Sequence, residues 1–112
     1  MPPNNALALH LDPRYLGMVQ NILRQHLPQA EVWAYGSRVH DDYYDASDLD
    51  LVVRQADDLS HRQEHLWQVR EAFAESDLPI IVQVVDWAAI PTAFHAEIEA
   101  GYVVVQTAHT HV

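Results

Sequence analysis

Hydrophobic positions in the first third of the chain follow the period of an α-helix and then that of a β-strand. Asp12-Pro13 is typical of a helix start, because aspartate caps free backbone N–H groups and proline fits the first helical position. Apolar residues then recur at helical spacing, at Leu16, Val19, Ile22, Leu23 and Leu27. Pro28 ends this predicted helix, and residues 31–35 predict a strand that Gly36 interrupts.

The middle of the chain predicts two strands with a helix between them. Residues 49–53 are rich in branched side chains, and residues 80–85 form an apolar run broken only by Gln83, which indicates a strand covered on both faces. Ser60 and Gln63 predict a capping box at the start of the intervening helix. The apolar stripe of that helix is Leu66, Val69 and Phe73.

The last segment of the chain predicts a short helix and a short strand. Residues 92–100 form the helix with Gly101 as its C-cap, and residues 102–105 form the strand. The element order favours an α/β (α+β) fold, with a small mixed sheet of about four strands and helices packed on it. We expect a single domain over residues 1–112, in which residues 106–112 form a loosely held tail.

The charge distribution argues against one class of partner. The formal net charge is −10, from sixteen carboxylates against six arginines, and there is no lysine. Surfaces that bind nucleic acids cluster positive charge to replace the counterions of phosphates, whereas these arginines are scattered. We therefore expect no direct nucleic-acid binding. Acidic proteins instead attract cations and basic partners, although acidity also serves solubility alone.

The sequence also predicts the compartment. It contains no cysteine, which suits a reducing environment. No stretch approaches the ~18 apolar residues of a membrane span, and residues 1–11 lack the basic segment of an export signal. We therefore expect a cytoplasmic protein without a membrane partner.

The two halves of one segment combine residues suited to phosphate and metal chemistry. Gly36-Ser37 follows the first strand, and ten residues separate Ser37 from the Asp48-Leu49-Asp50 sequence at the second strand. Residues two apart in a strand point to the same side, so Asp48 and Asp50 present two carboxylates to one place. Hard cations such as Mg²⁺ or Mn²⁺ prefer such oxygen ligands, completed by water and phosphates.

A turn at Gly36 would suit an anchored triphosphate. Glycine lets backbone N–H groups approach a phosphate, Ser37 adds a hydroxyl donor, and Arg38 could add a charge-assisted contact. We therefore predict a nucleotide-binding set of Gly36, Ser37 and Arg38 beside a metal-binding pair of Asp48 and Asp50. Each motif alone is weakly specific; together they indicate phosphoryl or nucleotidyl transfer.

This spacing resembles the signature of the DNA polymerase β-like nucleotidyltransferases. The short length and acidic charge are similar to their minimal nucleotidyltransferase (MNT) branch, which includes antitoxins paired with HEPN-domain toxins. The resemblance covers most of the chain, from the helix of Arg14 to about Val105, and implies a polymerase β-like palm fold. It also implies that Asp48, Asp50 and Ser37 are catalytic, with ATP as substrate.

The activity that the resemblance implies is transfer of AMP from ATP to a tyrosine of a HEPN ribonuclease toxin, which neutralises the toxin. The family places a third carboxylate on the strand after the second helix, and Gln83 stands at the corresponding position of this chain. Glutamine is a weaker metal ligand and a poor base. Asp86 is three residues further on, where strand alternation reverses its facing unless a bulge or the strand's end turns it inward.

Three functions remain open from the sequence. The first is an active adenylyltransferase that acts on a partner toxin within a hetero-oligomer. The second is a module that neutralises its toxin by binding alone, with Gln83 having disabled transfer. The third is an antibiotic nucleotidyltransferase, a class that normally carries an additional helical domain.

Overall fold

A computed structural model describes residues 7–108 as three helices and four strands. In chain order they are α1 (Pro13–His26), β1 (Glu31–Tyr35), a 3₁₀ turn (Gly36–Val39), β2 (Leu49–Arg54), α2 (Leu66–Ala74), β3 (Val82–Asp86), α3 (Thr92–Glu99) and β4 (Val103–Gln106). None of the helices described is long and apolar enough to cross a membrane.

The start of α1 follows the sequence prediction. The Asp12 side chain accepts a hydrogen bond from the Arg14 backbone N–H at 2.8 Å, and Pro13 occupies the first turn. An N-cap of this kind satisfies a backbone donor that has no partner within the helix. The capped start thus fixes where α1 begins.

The four strands form one mixed sheet in the order β3-β2-β1-β4. Strand β1 pairs antiparallel with β2 and with β4, whereas β2 and β3 are parallel. Parallel neighbours need a crossover, which α2 provides. The small mixed sheet of four strands is therefore confirmed, and β2 lies at its centre beside both β1 and β3.

Alternation along β2 divides the interior into two layers. Leu51 and Val53 join a large core with apolar residues of α1 and α2, while Val52 packs on the opposite face. There it contacts a smaller cluster that includes Trp33 and, from α3, Ile98. Helices α1 and α2 thus cover one face of the sheet, and α3 covers part of the other.

The predicted start of the second helix is wrong. Helix α2 begins at Leu66, and no side chain caps it. Ser60 does not cap the helix, because its hydroxyl donates to Asp58 Oδ1 at 2.7 Å. The backbone N–H of Gln63 donates to Asp86 Oδ2 at 2.9 Å, so a residue distant in sequence takes the donor that a capping box would use.

The last strand begins and ends one residue later than predicted, at Val103 and Gln106. Gln106 belongs to β4, and its Nε2 donates to the backbone oxygens of Leu27 and Ala30 at 2.8 and 2.9 Å. The predicted loose tail of residues 106–112 therefore begins too early, because its first residue ties β4 to the end of α1. Residues 109–112 lie outside the described residues.

Candidate active site

Gly36 connects β1 to the 3₁₀ turn in a conformation that favours glycine. Its φ is +79°, and it is the one residue of positive φ in the described part of the chain. A Cβ built there would lie 2.5 Å from Asp50 Oδ2, closer than real Cβ contacts allow. Any side chain at Gly36 would therefore meet both backbone strain and the carboxylate of Asp50.

Asp48 and Asp50 flank Leu49, the first residue of β2. Asp50 is the strand partner of Tyr35 on one side and of Gln83 on the other. Paired residues share a face of the sheet, and two residues after Asp50 that face carries Val52 of the α3 layer. The carboxylate of Asp50 thus projects on the α3 side, next to the Gly36 turn.

The carboxyl of Asp50 lies in surroundings that disfavour its charge. Partial burial, and secondly the nearby Asp48 charge, raise the pKa of the Asp50 carboxyl above its ordinary value. Two acids of this kind repel each other until a positive charge joins them. Mg²⁺ is commonly held by one or two carboxylates together with substrate phosphates, and Asp48 with Asp50 fits that donor set.

Gln83 completes a group of three neighbouring polar side chains. Its Nε2 donates to Asp48 Oδ2 at 3.4 Å, and it is the parallel strand partner of Asp50. Within residues 7–108 there is no cluster of three or more acidic, histidine or cysteine side chains arranged for a metal ion. The group therefore consists of two carboxylates and one neutral amide.

Asp86 does not take the place of a third acid. It is separated from Gln83 by three positions, which puts it on the other face of the sheet. Its two oxygens accept hydrogen bonds from the backbone N–H groups of Gln63 and Ala88, at 2.9 and 3.1 Å. Asp86 therefore does not turn toward Asp48 and Asp50 to assist transfer. Its carboxylate instead holds the backbone before α2, at Gln63, and the backbone just after β3, at Ala88.

Ser37 and Arg38 follow Gly36 in the turn but differ in availability. Ser37 is partly exposed, as a phosphate-binding residue must be. Arg38 is only 5% exposed, and its guanidinium donates to four backbone oxygens. These acceptors are the carbonyls of Ser47, His10, Tyr44 and Asp45, at 2.8 to 3.3 Å. This geometry contradicts the predicted phosphate contact of Arg38, because the guanidinium is engaged in closing the loop.

Tyr35 is a neighbour of the site that the sequence did not single out. It precedes Gly36, pairs with Asp50 and contacts Phe94 of α3 edge-on, with ring centroids 5.6 Å apart. Burial, and secondly the charge of Asp50, raise the pKa of Tyr35 to about 12. Its phenol is therefore neutral at physiological pH. The strand register could have identified it, because the residue opposite a functional acid shares its face.

The chain matches a known protein family and a named relative. The family model described as "Polymerase beta, Nucleotidyltransferase" matches residues 18–110. The chain is 39% identical over 98 residues to the "Probable protein adenylyltransferase MntA" of Haemophilus influenzae, a match that covers 88% of this chain and 84% of the relative.

A solved structure has a similar fold. It is described as "Crystal structure of the toxin-antitoxin with AMP-PNP" and gives a TM-score of 0.67 with 19% identity over 82% of this chain and 73% of that chain. At this identity the likeness shows the fold alone. The family match and the bacterial relative carry the assignment further: this chain belongs to the polymerase β-type nucleotidyltransferase family.

Proposed function

We propose that this protein is a Mg²⁺-dependent nucleotidyltransferase antitoxin that transfers AMP from ATP to a tyrosine of a HEPN-type ribonuclease toxin. The observation that carries the proposal is the contact between the Gly36 turn and the Asp50 carboxylate, with Asp48 two residues away. It sets the Gly36 backbone, to which we assign phosphate binding, beside the acid pair to which we assign cation binding. The relative named as a protein adenylyltransferase, and the neighbour named as a toxin–antitoxin with an ATP analogue, support the acceptor class and the nucleotide.

Each residue of the site has a role in the proposed transfer. Backbone N–H groups at Gly36 and the Ser37 hydroxyl would donate to the triphosphate, and Asp48 and Asp50 would hold the cation. The cation would neutralise part of the phosphate charge. The phenol oxygen of the acceptor forms a bond to the α-phosphorus, the bond from that phosphorus to the β-phosphate oxygen breaks, and pyrophosphate leaves. The phenol proton passes to water.

The site is suited to positioning the nucleotide and the acceptor tyrosine, but none of its described side chains is placed to remove the proton of the acceptor phenol. Gln83 cannot act as a base, and Asp86 lies on the other face of the sheet. A positioned general base typically contributes about 10²–10⁴-fold to a rate. We therefore expect a transfer that is slow for an enzyme and that depends on the complex with the toxin to place the acceptor tyrosine.

Neutralisation by binding alone is the second candidate function. The neutral amide of Gln83 in the site favours it, and the net charge of −10 suits a basic partner. In this case the toxin would remain unmodified, and neutralisation would need only the complex between this protein and the toxin. The two candidates make opposite predictions for variants of the cation-binding pair.

The deciding experiment is mass spectrometry of the toxin after incubation with this protein, ATP and Mg²⁺. Transfer predicts a mass increase of one or more AMP units on a tyrosine, and Asp48→Asn should abolish both the modification and the neutralisation. Asp42→Asn, a matched change at an exposed position of the same loop, should leave both intact. An unmodified toxin that Asp48→Asn still neutralises fully would overturn transfer and establish binding alone.

A further inference from the structure

The polar group on the α3 side of the sheet is asymmetric in charge. Asp48 and Asp50 each contribute a carboxylate, whereas Gln83 contributes an amide whose N–H reaches Asp48 Oδ2 at 3.4 Å. Gln83 is exposed, and its backbone is held beside Asp50 by the parallel ladder of β2 and β3. The third polar side chain of the site, Gln83, is therefore a neutral hydrogen-bond donor.

This asymmetry limits how much positive charge the protein can hold there. Two carboxylates balance one divalent cation. A second cation, about 3.5–4 Å from the first in two-metal sites, would be repelled unless further anionic ligands flanked it. On the protein side Gln83 brings no such charge, so the negative charge that balances a second cation would have to come from the phosphates.

The amide has a different use in this position. Asp48 and Asp50 repel each other in the absence of a cation, and a donor on Asp48 offsets part of that repulsion. It also restrains the Asp48 carboxylate, which stands just before β2 and lacks the strand pairing that holds Asp50. Preorganised ligands bind more tightly because less freedom is lost on binding.

We propose that Gln83 makes this a site for one protein-held divalent cation and acts as a positioning residue for Asp48 rather than as a metal-binding acid. The inference rests on the proposed function, because it concerns the cation that Asp48 and Asp50 hold with a nucleotide. Gln83, which has no role in the proposed transfer step, would thus set the number of cations that the protein holds and keep Asp48 in position.

The test counts Mn²⁺ ions by electron paramagnetic resonance of the free ion, with the protein saturated by a non-hydrolysable ATP analogue. Ions that remain bound in Asp48→Asn/Asp50→Asn are subtracted. The wild-type protein should hold one Mn²⁺ per chain, and the isosteric Gln83→Glu should hold two. Gln68→Glu makes the same chemical change at an exposed position of α2, on the other side of the sheet, and should hold one.

A second variant tests positioning without changing charge. Gln83→Leu removes the donor to Asp48, so the count should stay at one while the Mn²⁺ affinity falls about 3- to 10-fold, a modest effect for a hydrogen bond to a charged group. In the absence of metal, Gln83→Glu should also melt at a lower temperature than Gln68→Glu, because it sets a third carboxylate beside Asp48.

The outcomes separate this inference from the proposed function. Two Mn²⁺ per wild-type chain, or an unchanged affinity in Gln83→Leu, would overturn the role of Gln83 and leave the nucleotidyltransferase site standing. Absence of any Mn²⁺ binding that requires Asp48 and Asp50 would overturn the proposed function and this inference with it.

Discussion

The carboxylate of Asp50 lies against the backbone of Gly36, with Asp50 Oδ2 2.5 Å from the point that a Cβ on Gly36 would occupy. The antiparallel pairing of β1 with β2 produces this contact, because it sets Tyr35 opposite Asp50 and so brings the end of β1 to the start of β2. A phosphate bound at the turn and a cation bound at Asp50 would thus be neighbours.

Gly36→Ala should abolish metal-dependent ATP binding and destabilise the fold. The positive φ costs an L-residue roughly 1–2 kcal/mol, and the new methyl group must displace the Asp50 carboxylate. Gly17→Ala is the matched control, since a Cβ there meets nothing within 4 Å and should raise helix stability by about 0.5–1 kcal/mol. Calorimetry with ATP and Mg²⁺, together with thermal unfolding, measures both effects. Wild-type ATP affinity in Gly36→Ala would show that the phosphate turn lies elsewhere.

Ser37→Ala should weaken ATP binding without changing stability appreciably. Loss of one hydroxyl donor to a charged phosphate oxygen costs on the order of 1.5–3 kcal/mol, which is about a 10- to 100-fold rise in Kd. Ser60→Ala removes an exposed hydroxyl that bonds only to its neighbour Asp58 and should leave the Kd unchanged. Equal ATP affinities of Ser37→Ala and Ser60→Ala would show that the Ser37 hydroxyl does not bind the triphosphate.

Local sequence signals predicted the elements that local interactions determine. Asp12-Pro13 gave the start of α1 because the cap and the proline act within one helical turn. The four strands followed from apolar runs and their interruptions. That Asp48 and Asp50 point to one side stays a prediction from strand alternation, because β2 begins at Leu49 and Asp48 lies just before it.

The features that the sequence could not predict depend on partners far away in the chain. Gln63 gives its backbone N–H to Asp86, so the helix begins later than its capping pattern suggests. Gln106 bonds to the end of α1, and Arg38 bonds to His10, at separations that no local motif encodes. A polar side chain in a loop has many such options, and only the folded chain selects one.

Asp50→Asn should stabilise the metal-free protein at neutral pH while abolishing metal-dependent ATP binding. Burial and Asp48 raise the folded-state pKa of Asp50 above 3.8, so its ionised form is disfavoured in the folded state. For a raised pKa, the stability present below 3.8 is lost as the pH rises through the folded value. Asp50→Asn should therefore gain in melting temperature over the wild type at pH 7 and lose that gain below pH 3.8. A gain that does not depend on pH would point to packing instead of charge.

Tyr35 should ionise later than an ordinary tyrosine in an alkaline titration followed by the ultraviolet absorbance of phenolate. Its pKa is raised from 10.0 to about 12, by burial first and then by Asp50. The stabilising contribution of the neutral phenol is therefore complete below pH 10.0 and lost as the pH rises to about 12. Tyr35→Phe should remove the late phase of the titration, and Asp50→Asn should move it to lower pH. A late phase that survives in Tyr35→Phe would assign it to another of the five tyrosines.

Arg38 should prove to be a structural residue of the loop between the Gly36 turn and Asp48. Its guanidinium satisfies four backbone carbonyls at 2.8 to 3.3 Å while only 5% of the residue is exposed. Arg38→Ala should therefore lower the free energy of unfolding by on the order of 3 kcal/mol, since four partly buried carbonyls lose their donors. Arg38→Lys should rescue little of this, because an ammonium group cannot reproduce the planar fork of donors.

Arg24→Ala, a change at an exposed position of α1, should leave stability within about 0.5 kcal/mol of the wild type. Chemical denaturation measures all three variants, and ATP calorimetry on the folded fraction completes the comparison. A direct phosphate contact would give the opposite pattern: Arg38→Lys would unfold like the wild type and bind ATP more weakly. Such a result would return Arg38 to the nucleotide-binding set, whereas a loss of stability in both Arg38 variants without ATP would show that the guanidinium donors close the loop between the Gly36 turn and Asp48.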